Sequence, residues 1–65
     1  MNYKELIKLI EADGWYLERQ RGSHRQYKHA VKKGLVTVAH HGLTETVAPK
    51  MLRSILSQAG LLEDK

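Results

Sequence analysis

Two apolar stripes with helical spacing, one near each end of the chain, constrain the fold more than any other feature. The first stripe consists of Tyr3, Leu6, Ile7 and Ile10, and the second of Leu52, Ile55, Leu56 and Ala59. Asn2 and Glu5 have the spacing of a capping box, and Pro49 suits the first turn of the second helix. Each helix must bury its stripe, so a shared apolar surface has to lie between them in the sequence.

Three short runs between the helices predict strands. Gly14 ends the first helix, and residues 15–20 predict a strand with Trp15 and Leu17 on one side. Residues 21–23 predict a turn into a second strand at 24–29, and the β-branched run 35–39 predicts a third, followed by an irregular segment at 40–47. The expected fold is α+β in the order α-β-β-β-α, one domain over residues 1–65, with both helices on one face of a three-stranded antiparallel sheet.

Alternation in the second strand predicts which side chains face solvent. It divides the strand into one face with His24, Gln26 and Lys28 and another with Arg25, Tyr27 and His29. Tyr27 is the best candidate for burial, which turns His24 outward. For Trp15 and Tyr27, core packing is favoured over stacking on nucleic-acid bases.

Length and composition exclude several classes of protein. The 65 residues leave no room for an enclosed cofactor cavity, so chemistry must occur on an open face without a cofactor. The absence of cysteine excludes disulfides and thiolate metal sites. No apolar run has the length of a signal sequence or a membrane span, so we expect a soluble cytoplasmic protein with no membrane partner.

Positive charge is concentrated in the middle of the chain. There are 11 Lys and Arg residues against 7 Asp and Glu, a formal net charge of +4. Eight of the basic residues are central: Arg19, Arg21, Arg25, Lys28, Lys32, Lys33, Lys50 and Arg53. Such a patch favours phosphate-rich or acidic protein partners, although solvated surface lysines are the alternative explanation.

One histidine lies inside this basic patch. The turn at Gly22 and Ser23 delivers His24 onto the second strand, and Arg19, Arg21, Arg25 and Lys28 surround it in sequence. Histidine exchanges protons near neutral pH, and cations bind phosphate, so the pattern predicts activity on RNA. Ser23 could bond a phosphate or simply serve the turn. The histidines and carboxylates are not spaced for a metal site, so no metal is expected.

An ordered set of residues resembles the HicA toxins of prokaryotic HicAB toxin-antitoxin systems. The set comprises Gly14-Trp15, Arg19, Gly22-Ser23-His24, Val36-Thr37-Val38, Gly42, Leu52-Arg53-Ser54-Ile55-Leu56 and Gln58-Ala59-Gly60. The resemblance covers residues 3 to 62. It implies a fold similar to a double-stranded RNA-binding domain, an endoribonuclease that cuts mRNA, a HicB-type antitoxin that masks the site, and a catalytic role for His24.

The third strand departs from the family pattern. The family usually has proline after this strand, whereas this chain reads Val38-Ala39-His40-His41. Alanine lacks the fixed φ of proline, so we assign no role to His40 or His41.

Two functions remain open from the sequence. RNA carries its own nucleophile, the 2′-hydroxyl, so a metal-independent endoribonuclease could act with His24 as general acid or base and with Arg19, Arg21, Ser23, Arg25 and Lys28 binding RNA. DNA lacks that hydroxyl, and no DNA binding by this chain alone is expected. The alternative is a non-catalytic RNA-binding module, which would need cations but no proton-exchanging group at position 24.

Overall fold

The computed structural model describes residues 1–40 and 42–62, so His41 lies outside the described residues. The elements are α1 (Tyr3–Ala12), β1 (Trp15–Arg21), β2 (His24–His29), β3 (Val36–Ala39) and α2 (Pro49–Gln58). The strands form one antiparallel sheet in the order β1-β2-β3. The predicted α-β-β-β-α order is confirmed. β1 is one residue longer than predicted, and β3 begins one residue later, where Val36 pairs with Tyr27.

Local signals explain where the helices begin and end. The Asn2 side chain accepts a hydrogen bond from the Glu5 N–H at 2.8 Å, and the Glu5 carboxylate accepts one from the Asn2 N–H at 2.9 Å. This confirms the predicted capping box. The N–H groups of Tyr3 and Lys4 donate to the carbonyls of Glu45 and Leu43, so the irregular segment before α2 completes the α1 terminus.

The core lies between the two helices and one face of the sheet, which we call the inner face. Leu6 and Ile10 of α1 and Ile55 of α2 are fully buried against Tyr27 and the β3 valines. Trp15 and Tyr27 are only 2% and 1% exposed, which confirms the prediction that they pack in the core. No helix in the described parts of the chain is long and apolar enough to cross a membrane.

A polar cluster joins the end of β2 to both helices. His29 Nε2 lies 2.7 Å from the Asp13 carbonyl, and His29 Nδ1 accepts hydrogen bonds from the Val31 and Lys32 N–H groups at 3.0 Å. Since Nδ1 accepts, Nε2 carries the proton and donates to Asp13. Lys32 forms an ion pair with the Asp13 carboxylate. It also donates a hydrogen bond to the carbonyl of Ala59, the C-cap residue of α2.

Gly14 allows His29 to approach α1 closely. Its φ is 110°, and a Cβ atom built there would lie 2.6 Å from His29 Nε2. Gly34 has a φ of 90° but no atom within 4 Å of an added Cβ. Substitution of Gly34 therefore introduces backbone strain alone, whereas substitution of Gly14 introduces backbone strain and a steric clash with His29.

We predict that Gly14→Ala destabilises the protein more than Gly34→Ala. Both pay the cost of positive φ, about 1–2 kcal/mol, but only Gly14→Ala also pushes the His29 ring away from Asp13. Urea unfolding of both variants measures the difference in the free energy of unfolding. Equal losses would mean that the ring moves aside without cost.

Asp13 makes the stability of this cluster dependent on pH. The hydrogen bond from the Lys32 ammonium lowers the pKa of the Asp13 carboxyl below its ordinary value of 3.8, and the positive charge of Lys32 acts in the same direction. A carboxyl with a lowered pKa in the folded state stabilises that state above its unfolded pKa. It loses this contribution as the pH falls through the folded value.

We predict that wild type has a higher Tm than Asp13→Asn at neutral pH and that this difference shrinks below pH 3.8. Thermal unfolding followed by circular dichroism over a pH series measures it. Glu11→Gln, which changes an exposed carboxylate on α1, is the matched control. A difference between wild type and Asp13→Asn that stays constant into acid would show that the charge of Asp13 is not the cause.

Candidate active site on the outer face of the sheet

His24 is the first residue of the central strand, immediately after a two-residue turn. Arg21 and His24 are partners across the hairpin, which leaves Gly22 and Ser23 as the loop. The φ of Gly22 is 59°, and Ser23 has a negative φ, the pattern of a type II′ turn. The Ser23 carbonyl accepts a hydrogen bond from the His40 N–H at 3.0 Å, so the β2–β3 pairing holds the turn in place.

Strand alternation places His24 on the face opposite the core, which we call the outer face. Tyr27 is buried, and His24 lies three residues before it in the strand, so the two side chains point to opposite sides. The His24 side chain is exposed, as predicted. Its neighbour on β3 is Ala39, whose small side chain leaves the imidazole open to solvent on that side.

A β-bulge in β1 brings two arginines to the outer face. Leu17 pairs with Tyr27, but Arg19 pairs with Gln26, so Glu18 is an extra residue in the ladder. Without this bulge, residues 15, 17, 19 and 21 would share the inner face. The shift leaves Trp15 and Leu17 on the inner face and turns Arg19 and Arg21 to the side of His24 and Gln26.

These four residues line one small cavity. Its volume is about 110 Å³, and its lining consists of Arg19, Arg21, His24 and Gln26. The lining holds two permanent cations, one amide and one imidazole, the side chain that most often serves as a general acid or base. This combination can bind a phosphodiester and transfer a proton at the same place.

The structure does not bring all the predicted RNA-binding residues to this cavity. Lys28 is also on the outer face, but it lies four positions after His24 in β2. Its ammonium is 4.0 Å from the Glu18 carboxylate. Ser23 is half-buried in the turn. Arg25 is on the inner face opposite Val38, and its Nε atom is buried with no hydrogen-bond partner among the described residues.

The other central cations have different surroundings. Lys32 belongs to the polar cluster with Asp13. Lys50 and Arg53 line a larger cleft of about 310 Å³, together with Ser54, Ser57 and Leu62. This cleft runs along the side of α2 that faces away from the core. Its lining has no histidine or carboxylate, so the smaller cavity around His24 is the candidate active site.

The two other histidines among the described residues, His29 and His40, pack against aromatic side chains of the core. The His40 ring lies against Tyr3 of α1, with ring centroids 5.5 Å apart, on the opposite side of the sheet from His24. The His29 ring packs edge-on against Trp15 at 5.2 Å. Within residues 1–40 and 42–62, no group of three His, Asp or Glu side chains is placed to hold a metal ion.

Tyr16 is an outer-face residue that the sequence reasoning did not single out. It pairs with Lys28, and its side chain is 49% exposed. Alternation alone carries this signal, because Tyr16 lies between the two inward residues Trp15 and Leu17.

Comparison with known protein families covers nearly the whole of this chain. No curated protein matches the sequence. The family model described as the HicA toxin of bacterial toxin-antitoxin systems matches residues 3–61, which include both helices, all three strands and the cavity around His24. The chain belongs to the HicA toxin family.

Proposed function

We propose that this toxin is an endoribonuclease that cuts mRNA in the cytoplasm at the cavity around His24. The observation that carries the proposal is one exposed imidazole that lies opposite Arg21 and lines the same open cavity as Arg19. Membership of a toxin family supports a role in harming the cell. Activity on RNA is inferred from the side chains that line the cavity. The α-β-β-β-α order also supports a topology similar to a double-stranded RNA-binding domain.

The proposed reaction uses the nucleophile that RNA supplies. The 2′-oxygen attacks the adjacent phosphorus as its proton leaves, the bond from phosphorus to the 5′-oxygen breaks, and the 5′-oxygen takes up a proton. The product ends are a 2′,3′-cyclic phosphate and a 5′-hydroxyl. His24 acts at one of the two proton transfers, and water serves the other.

The arginines stabilise the charge that develops on the phosphate. Arg19 and Arg21 lie on the same face as His24 and line the same cavity. Guanidinium groups bind phosphate oxygens through paired N–H donors, and they remain charged throughout the reaction. Gln26 adds an amide that can bond the same oxygens or a base edge.

An antitoxin partner follows from membership of a toxin-antitoxin family. We propose that it is a HicB-type protein and that it inhibits by covering the outer face. Carboxylates on the antitoxin would complement Arg19, Arg21 and Lys28, which favours rapid association.

We predict that His24→Gln loses cleavage of single-stranded mRNA by about 10²- to 10⁴-fold, the usual contribution of general acid–base catalysis. RNA affinity should stay within a few fold, because glutamine keeps the size and polarity of the side chain. The assay compares cleavage rates in EDTA, with DNA of the same sequence as a negative substrate. His40→Gln, on the other side of the sheet, is the control and should retain cleavage.

Two results would change this assignment. Binding of RNA by wild type with no cutting would favour the non-catalytic RNA-binding module. Equal cleavage by wild type and His24→Gln, with both proteins folded by circular dichroism, would remove His24 from the mechanism.

We predict that Arg19→Ala and Arg21→Ala each weaken RNA binding and reduce its salt dependence. Loss of one phosphate contact should lower the slope of log Kd against log salt by about 0.7 for a single strand. Arg25→Ala is the matched control, because Arg25 lies on the inner face and falls outside the proposed surface. A slope that falls as much for Arg25→Ala as for Arg19→Ala would contradict the outer-face assignment.

A further inference from the structure

Tyr16 differs from the other two tyrosines of the chain in being exposed. Tyr3 and Tyr27 are buried in the core, whereas about half of the Tyr16 side chain is accessible. Tyr16 pairs directly with Lys28, and Lys28 lies on the outer face with His24. The exposed aromatic ring is therefore on the same face as the cavity.

The outer face forms a ladder of cross-strand pairs that leads from Tyr16 to His24. The pairs are Tyr16 with Lys28, Arg19 with Gln26, and Arg21 with His24. Lys28 lies four positions after His24 in β2, which corresponds to about 13 Å at 3.3 Å per residue. One extended strand of RNA can cross this distance with a small number of nucleotides.

We propose that Tyr16 is a stacking platform for one base of the single-stranded RNA substrate, a short distance from the cleaved phosphate. This inference rests on the proposed function. Unpaired bases stack on exposed aromatic rings, and neighbouring cations follow the phosphate backbone. Lys28 beside Tyr16, and Arg19 between Tyr16 and Arg21 on the outer face, supply that combination.

Charge on this part of the face favours RNA as the occupant. Arg19, Arg21 and Lys28 are all exposed, and the carboxylate nearest to Lys28 is that of Glu18 at 4.0 Å. An ion pair this long and this exposed is weak, so Lys28 can exchange Glu18 for a phosphate. The ring then contacts a base, and the cations contact phosphates of the same RNA strand.

Binding to RNA that cannot be cut tests the proposal apart from catalysis. The probe is a fluorescent single-stranded RNA with 2′-O-methyl groups, which block the nucleophile. Tyr16→Ala should weaken binding at least about fivefold, since stacking of one base contributes 1–3 kcal/mol. Tyr16→Phe should bind within about twofold of wild type, because the ring is kept. Val31→Ala, at a position 84% exposed and outside the ladder, should not change binding.

A double-mutant cycle locates the base. A single abasic nucleotide is moved along the RNA, and each RNA is tested with wild type and Tyr16→Ala. At one position the two losses should be non-additive, because removal of the base and removal of the ring eliminate the same contact. Additive losses at every position would overturn the proposal.

The outcomes separate this inference from the proposed function. Wild type that binds the RNA but cuts no substrate would refute the ribonuclease and leave the stacking test valid. Wild type and Tyr16→Ala with the same affinity for the RNA would refute the stacking role. Loss of antitoxin binding with unchanged RNA binding would show that a protein occupies Tyr16, and it too would overturn the proposal.

Discussion

Burial of Tyr27 in the central strand is the constraint on which the rest of the structure depends. β2 pairs with a strand on each side, so its alternation sets the facing of both neighbours. With Tyr27 inward, Val36 and Trp15 face the helices, and His24 and Lys28 face solvent. A slip of one residue would bury His24 and Lys28 and expose Tyr27. The fold would lose the burial of one large apolar side chain and would gain two buried polar groups without hydrogen-bond partners. The same contact that fills the core therefore orients the candidate catalytic group.

The bulge at Glu18 reconciles two demands on β1. The first half of the strand turns Trp15 inward, where it closes the core. The second half places Arg19 and Arg21 on the outer face. Strict alternation cannot satisfy both with this sequence, because Trp15, Arg19 and Arg21 are all separated by even numbers of residues. One extra residue changes the parity of the strand after Leu17. Leu17 remains 43% exposed, which marks the edge of the area that the helices cover.

Sequence reasoning succeeded where a feature depends on neighbouring residues and missed what depends on register. The capping box, the two stripes, the glycine turn and the outward His24 follow from local spacing, and the structure confirms them. The bulge leaves no signature in the residues 17–19. Arg25 is an exception: alternation in the sequence already separates it from His24, and its place among the predicted RNA-binding residues rests on adjacency alone. Lys32 was counted with the basic patch, although its pairing with Asp13 spans 19 positions. Alternation places Tyr16 on the outer face, but its pairing with Lys28 depends on the register of the hairpin.

The two ends of β2 show how surroundings decide what a histidine can do. His29 has both ring nitrogens engaged with backbone groups, at Asp13 on one side and at Val31 and Lys32 on the other. A ring held in this way fixes one tautomer and connects the strand to the end of α1 and to the loop after β2, but it has no nitrogen available to a substrate. His24, five residues earlier, is exposed beside Arg21 and a two-residue turn. Identical side chains thus have different surroundings: the imidazole at the closed end of the strand serves stability, and the one at the open end is accessible for the proposed proton transfer. The strand between them, anchored through Tyr27, fixes the facing of His24 without covering it.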